Sequence, residues 1–122
     1  MAKKLLIILV NSNPDNPEAL GAPFFQATVA AAMDYDVEIL MTGRAGELAK
    51  KGIAQTIKIQ ESSVHTVYDF IKDAVDAGVI LKVCTPTIEI WGDELIPEIR
   101  ETVGGGYAIT EAMSDDTVTF TY

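Results

Sequence analysis

The sequence predicts a single-domain α/β fold, a three-layer arrangement in which a mostly parallel sheet of about five strands carries helices on both faces. Short apolar runs that end at turn-forming residues alternate along the chain with segments of helical periodicity. A length of 122 residues is that of one domain, assigned to residues 1–122, and we see no repeat or linker. Strands that alternate with helices pair in parallel through crossover connections, which gives this fold class.

The first half of the chain predicts two strands and two helices. The first strand is a continuous apolar run, typical of a strand covered on both faces, and it stops at turn-forming Asn and Pro residues. An Ala-rich stretch then predicts a helix, with Pro23 suited to its first turn. The elements are a strand at residues 5–10, a loop at 11–17, a helix at 22–35, a strand at 37–41 and a short helix at 43–50. The apolar face of the first helix comprises Phe24, Ala27, Ala31 and Tyr35.

The second half predicts a third long helix, capped by Ser63 and ended by Gly78. Its apolar stripe consists of Val64, Val67, Tyr68, Ile71, Ala74 and Val75. The remaining elements are a strand at residues 79–84, barely more than one helical turn at 86–91, an extended segment at 100–103, a glycine turn at 104–106, a helix at 107–113 and a last strand at 117–122.

Composition sets the class of partner and the compartment. Hydrophobic residues make up 48% of the chain, more apolar surface than one small core hides, so we expect a homo-oligomer. Acidic residues outnumber basic ones by 18 to 9, and a net charge of −9 argues against binding nucleic acid or a membrane surface. A single cysteine cannot form an internal disulfide, and no apolar stretch is long enough to cross a bilayer. We therefore expect a cytoplasmic protein.

The only cysteine, Cys84, is the candidate catalytic residue. A single cysteine in a small cytosolic protein is usually a buried, inert hydrophobe. Here, however, it ends an apolar strand where a helix begins, and a helix start favours the thiolate. Lys82 lies on the same side of the strand and either adds to this field or reaches for solvent at a strand edge. Any of the acidic residues that follow would disfavour the thiolate if it lies close to the sulfur, and the sequence leaves this balance open; they are Glu89, Asp93, Glu94 and Glu98.

Other kinds of site have less support in the sequence. His65, the only histidine, assists Cys84 only if the fold brings the start of the third helix to the same sheet edge; otherwise it has a surface or capping role. One cysteine and one histidine do not make the usual metal-ligand set, and we expect neither metal nor cofactor. Without a second cysteine, covalent chemistry on Cys84 must be completed by another molecule, which indicates transfer between proteins.

Several segments together resemble the DsrE/DsrF-like sulfur-relay family, which includes the TusD-type subunits. They are an Asn/Pro loop and Ala-rich helix after strand one, Met41-Thr-Gly43 before a short helix, Ala77-Gly-Val-Ile-Leu-Lys-Val-Cys84-Thr-Pro-Thr87, Leu95-Ile-Pro97 and Val103-Gly-Gly105. The resemblance covers nearly the whole chain, and its specificity rests on the Cys-x-x-Ser/Thr segment and the spacing from that segment to the glycine turn.

The resemblance implies that Cys84 takes sulfane sulfur as a persulfide and hands it on. It implies a rhodanese-like or desulfurase donor, a TusA-like carrier as acceptor, and a trimer or, alternatively, a hexamer. Thr85 and Thr87 of the motif, with Lys82 and His65, are the candidate assisting residues. The competing hypothesis is a non-catalytic homo-oligomeric ligand-binding or scaffold protein in which Cys84 only packs.

Overall fold

A computed structural model describes residues 3–122 and contains a five-stranded sheet in which every pair is parallel. Its strands are β1 (Lys4–Leu9), β2 (Asp36–Met41), β3 (Ile80–Cys84), β4 (Ile99–Val103) and β5 (Thr117–Thr121). They lie in the order β4-β3-β2-β1-β5, so β4 and β5 are the two edge strands. The predicted α/β class and the number of strands are confirmed.

The two faces of this sheet are covered differently. The α-helices of the described chain are α1 (Gly21–Ala32), α2 (Val67–Ala77), α3 (Thr85–Trp91) and α4 (Gly105–Ala112). Helices α1 and α2 pack together over one face, where Phe24 and Ile71 join Ile39 and Leu81 in the main hydrophobic core. On the opposite face, α4 contains no buried residue. None of the helices in residues 3–122 is long and apolar enough to cross a membrane.

Helix α1 ends three residues earlier than the sequence predicts. Asp34 adopts a positive φ of 69°, a left-handed conformation that breaks the helical hydrogen-bond pattern. Tyr35 therefore does not belong to the helix face assigned to it, and 43% of its surface is exposed. The side chains of α1 that the structure buries are Pro23, Phe24 and Ala27.

Helix α2 begins at a different cap from the predicted one. Thr66, rather than Ser63, is the N-cap, and the Asp69 carboxylate accepts a hydrogen bond from the Thr66 amide at 2.9 Å in a capping box. Val64 consequently lies outside the helix and is 83% exposed. Gly78, with a φ of 111°, ends the helix as predicted.

The short connections also differ in detail. The segment Gly43–Ala49 is a 3₁₀-helix, as are Pro17–Ala19 and Ala54–Thr56. Helix α3 is longer than the predicted single turn: it begins at Thr85 and ends before Gly92, whose φ is 92°. It starts directly at the end of β3, so no loop separates the strand that carries Cys84 from the helix that follows.

Candidate functional site

Cys84 is both the last residue of β3 and the N-cap of α3. Its parallel neighbour in the sheet is Val103, the last residue of β4, so the cysteine stands at the carboxyl edge next to the outermost strand. The thiol is partly exposed, unpaired with any other cysteine, and makes no capping hydrogen bond to α3. Carboxyl ends of parallel strands are where α/β proteins bind ligands, and Cys84 occupies such an end.

Helix α3 is held in place by an unusually close contact with the Gly43–Ala49 segment. Thr87 is 97% buried, and a Cβ added to Gly46 would lie 1.7 Å from its Cγ2 atom. Trp91 donates a hydrogen bond from Nε1 to the Gly43 carbonyl at 2.9 Å. Thr87 thus packs α3 against this segment, and only a glycine at position 46 permits the approach.

The other motif threonine connects the two strand ends. Thr85 donates a hydrogen bond from Oγ1 to the Val103 carbonyl at 3.0 Å. After Val103, Gly104 is the N-cap of α4, and Gly105 and Gly106 are its first two residues, so α4 begins two residues earlier than predicted and takes in most of the predicted glycine turn. None of the three has a positive φ, and a Cβ added to any of them would meet nothing within 4 Å. Neither backbone conformation nor packing therefore requires glycine there, and these three positions add no side chain to the surface beside the ends of β3 and β4.

Lys82 lies on the same face of β3 as Cys84, and its ammonium is surrounded by partners. The Nζ atom is 2.9 Å from both the Glu38 and the Glu101 carboxylates and donates to the Tyr107 hydroxyl at 2.6 Å. Tyr107 in turn donates to Glu38, and Lys4 pairs with Glu38 and with Glu111 on α4. We call Lys4, Glu38, Lys82, Glu101, Tyr107 and Glu111 the polar cluster.

The polar cluster explains the shifted pKa values on this face. Burial alone would lower the pKa of Lys82, but hydrogen bonds with Tyr107, Glu38 and Glu101 outweigh it and raise that pKa. Burial likewise opposes ionisation of Glu38, yet hydrogen bonds from Lys4, Tyr107 and Lys82 hold the pKa of its carboxyl below the usual range. Lys82 is thus a buried, charged and fully partnered residue, not a strand-edge lysine reaching for solvent.

His65 has other partners than Cys84. Because α2 leads from the end of β2 back to the start of β3, the beginning of α2 lies at the carboxyl end of the sheet, as assistance to Cys84 would require. However, α2 packs on the face of Val83, opposite the face of Lys82 and Cys84. The backbone amide of His65 donates to Ser63, and its exposed ring lies 3.7 Å from Asp69. The chain by itself does not bring His65 and Cys84 together.

Among residues 3–122, no three His, Cys, Asp or Glu side chains are grouped in a way that would hold a metal ion. The structure brings three of the candidate residues, Cys84, Thr85 and Lys82, together near the carboxyl end of β3. Thr87 is packed beneath α3.

Comparison with known proteins agrees with this architecture. The model of the DsrE/DsrF-like family matches residues 4–120. The chain belongs to the DsrE/DsrF-like family. This family is associated with sulfur relay. No match is found among curated proteins.

Solved structures show the same fold as this DsrE/DsrF-like chain. The crystal structure of the ychN protein from E. coli has a TM-score of 0.76 at 16% identity, with all of both chains covered. A conserved protein of unknown function from Bacteroides thetaiotaomicron has a TM-score of 0.68 at 15% identity, over 98% of this chain and 95% of that one. At these identities, the likeness supports the fold alone.

The sequence reasoning missed Glu38 and Tyr107, the main partners of Lys82. Glu38 was visible as a single acidic residue inside the apolar run Val37-Glu-Ile-Leu-Met41, just as Lys82 interrupts the run before Cys84. Opposite charges within two buried strands are a signal for a pair, since an unpartnered buried charge is costly. Tyr107 carried no comparable signal.

Proposed function

We propose that this chain is a sulfur-relay protein that accepts sulfane sulfur as a persulfide on Cys84 and passes it to a TusA-like carrier protein. The observation that carries the proposal is the position of the only thiol, partly exposed at the carboxyl end of β3 in a DsrE/DsrF-like chain. The absence of side chains at residues 104–106 supports it, because a partner protein needs room to bring its own sulfur to Cys84.

The transfer needs no cofactor and no net redox change. The Cys84 thiolate attacks the outer sulfur of a donor persulfide, an S–S bond forms on Cys84, and the donor's S–S bond breaks to release the donor as a thiolate. The acceptor's thiolate then attacks the outer sulfur on Cys84, and Cys84 leaves as a thiolate. Each step exchanges one S–S bond for another. A rhodanese-like protein is the proposed donor, and the reducing cytoplasm is the proposed location.

The neighbours of Cys84 act on its position in this proposal. Thr85 ties the start of α3 to the end of β4 at 3.0 Å, and Thr87 seats the same helix on Gly46. Lys82 is engaged by two carboxylates and a phenol, so its role is to anchor β3 beneath Cys84. None of these neighbours acts on the transferred sulfur in the proposal; its transfer involves only the thiol groups of Cys84, the donor and the acceptor.

The proposal predicts that Cys84→Ser abolishes sulfur loading without changing the fold. Purified protein is incubated with polysulfide, and intact mass is measured by mass spectrometry. The native chain gains about 32 Da, one sulfur atom, and passes it to a TusA-like acceptor, whereas the serine variant gains nothing because an alcohol forms no persulfide. Thr85→Ser is the control, since it changes the adjacent residue but keeps both the thiol and the hydroxyl that donates to the Val103 carbonyl.

Two results would contradict the proposal. If Cys84→Ser still relays sulfur, the thiol is not the carrier. If the native thiol gains no sulfur and resists small alkylating reagents, Cys84 is a packing residue, and the ligand-binding or scaffold hypothesis replaces the relay. Circular dichroism of both variants separates a loss of chemistry from a loss of structure.

A further inference from the structure

The ion pair between Lys82 and Glu101 lies on the face of the sheet that carries Cys84. Lys82 precedes Cys84 by two residues on β3, and its Nζ atom is 2.9 Å from a Glu101 carboxylate oxygen. Glu101 is the neighbour of Lys82 in the sheet, and two residues further along β4 comes the neighbour of Cys84. By strand rise and strand spacing, the Cα atoms of Lys82 and Glu101 lie roughly 7 Å and 8 Å from that of Cys84. Both charges are therefore close enough to the thiol to act on a charged reagent that approaches it.

Glu101 is the most exposed carboxylate of the polar cluster. Its side chain is 54% exposed, against 5% for Glu38 and 28% for Glu111. Lys4 and Lys82 bring two positive charges to the cluster, and the carboxylates of Glu38 and Glu111 already balance them. Glu101 adds a third carboxylate, so the polar cluster as a whole has one negative charge in excess.

Lys82 does not depend on Glu101 for its burial. Without it, the ammonium keeps the Glu38 carboxylate at 2.9 Å and the Tyr107 hydroxyl at 2.6 Å. A buried charge needs a partner, and Glu38 supplies one from inside the fold. Glu101 instead lies on the edge strand β4, where water solvates it and where an ion pair contributes little to stability. Its effect is therefore on the charge near Cys84 more than on folding.

Charge near the thiol matters because small molecules that carry sulfane sulfur, such as polysulfide, are anions. In their reaction with Cys84, the thiolate attacks a terminal sulfur of the polysulfide and a new S–S bond forms on Cys84. The S–S bond inside the polysulfide breaks, and the shortened polysulfide leaves with the electron pair, so there is no net redox change. An excess negative charge beside the thiol disfavours the approach of such an anion and favours a cationic group.

We propose that Glu101 makes Cys84 discriminate against small anionic sulfur donors and in favour of donors that carry a cationic group near their sulfur. Glu101 does so by neutralising Lys82, whose ammonium attracts anions to the thiol when this carboxylate is removed. The inference rests on the proposed sulfur relay, since it concerns which donors Cys84 accepts. In water, one unit charge at about 7 Å changes the rate of a singly charged reagent roughly threefold.

The test compares two methanethiosulfonate reagents, one cationic and one anionic, that share the same reactive group. Their rates with Cys84 are measured by mass spectrometry at one pH and at about 10 mM salt, where charges are little screened. The ratio of the two rates cancels the reactivity of the thiol itself. Glu101→Gln, which keeps an oxygen that accepts from Lys82, should lower the cation-to-anion ratio by about threefold or more. Salt at about 0.5 M should remove most of this difference, because it screens charges and does not reverse a change of structure.

Asp115→Asn is the matched control, since it removes another exposed carboxylate, in the turn before β5 at the opposite end of the sheet from Cys84. It should leave the rate ratio unchanged; an effect equal to that of Glu101→Gln would overturn the proposal, because net charge alone would then explain the selectivity. Both variants should retain native circular dichroism, since both side chains are exposed. Equal ratios in the native chain and in Glu101→Gln would also overturn the proposal.

Polysulfide loading separates this inference from the relay itself. At low salt, Glu101→Gln should gain sulfur from polysulfide about threefold faster than the native chain, and an equal rate of gain would contradict the proposal. If neither chain gains sulfur while the reagent ratio still changes, the relay fails, and the control of charge at Cys84 by Glu101 stands.

Discussion

The two edges of the sheet carry different kinds of residue. At the β4 edge, Arg100 and Glu101 are charged, and the neighbouring strand β3 presents Lys82 and Cys84. At the β5 edge, the strand is uncharged and adjoins the apolar side of α1. Edge strands with charges discourage pairing, whereas uncharged ones invite it. The β4 edge is therefore protected by charge from pairing with a further strand, and the β5 edge is not.

The helices follow the same division. Helices α1 and α2 are held to the sheet by buried apolar side chains. Helix α4 buries no residue and is joined to the sheet through Tyr107 and Glu111 of the polar cluster. Apolar burial tolerates small shifts, but charged hydrogen bonds fix direction and distance. Helix α4 is therefore held against the sheet by polar contacts.

The strongest test of this contrast is Glu38→Gln, which keeps the shape of the side chain and removes its charge. The Glu38 side chain is 5% exposed and pairs with both Lys4 and Lys82. Leaving two ammonium groups without their shared carboxylate should cost about 3 kcal/mol in the free energy of unfolding, measured in urea. Glu89→Gln, on the exposed side of α3, should change it by less than about 0.5 kcal/mol. Equal effects of the two variants would contradict the assigned role of the polar cluster.

The same variant has a pH signature. The pKa of Glu38 is lowered in the folded chain, from a reference value of 4.5, because its hydrogen bonds from Lys4, Tyr107 and Lys82 outweigh the cost of burial. Its contribution to stability is present above pH 4.5 and is lost as the pH falls toward the lowered pKa. The stability difference between the native chain and Glu38→Gln should therefore shrink below pH 4.5. A difference independent of pH would mean that the loss comes from packing and not from charge.

The next largest effect concerns the contact that seats α3. Gly46→Ala places a methyl group 1.7 Å from Thr87 Cγ2 and 3.1 Å from Trp91 Cδ1, so the helix must move. Overpacking of this kind should cost about 2 kcal/mol, measured by thermal and urea unfolding. Thr87→Ser removes the clashing methyl, and the double variant should recover part of the loss. If the two substitutions are simply additive, the contact does not couple Thr87 to Gly46.

Local patterns predicted the elements, and long-range contacts explain the differences. The run at residues 5–10, the Ala-rich helix and the ending at Gly78 depend on neighbours in sequence, and all three appear in the structure. The start of α2 was misplaced because Ser63 and Thr66 both suit a cap; the structure uses Thr66, where Asp69 completes a capping box and the Val67 amide donates to the Ile57 carbonyl at 2.7 Å. The spacing of apolar residues along the sequence does not indicate which of these hydrogen bonds form.

The candidate site shows the same limit. The position of Cys84 at a strand end followed from the apolar run before it, and the structure places it there. The partners of Lys82 come from β2, β4 and α4, so only the fold reveals that its charge is already engaged. The role of Gly46 was likewise hidden, because Thr87, which requires a glycine there, lies 41 residues further along the chain.

The smallest expected effect is that of Thr85, whose hydroxyl joins the ends of β3 and β4 at the exposed edge. Thr85→Val keeps the size of the side chain and removes the 3.0 Å bond to the Val103 carbonyl, while Thr85→Ser retains the hydroxyl. Because the residue is exposed and water replaces the lost partner, unfolding should become easier by only about 0.5 kcal/mol in the valine variant. The alkylation rate of Cys84 should change in the valine variant and stay the same in the serine variant. The bond from Thr85 to Val103 fixes the start of α3, which lies next to the thiol. If neither variant changes the alkylation rate of Cys84, the bond is only a surface contact, and the polar link between the ends of β3 and β4 is not needed to position Cys84.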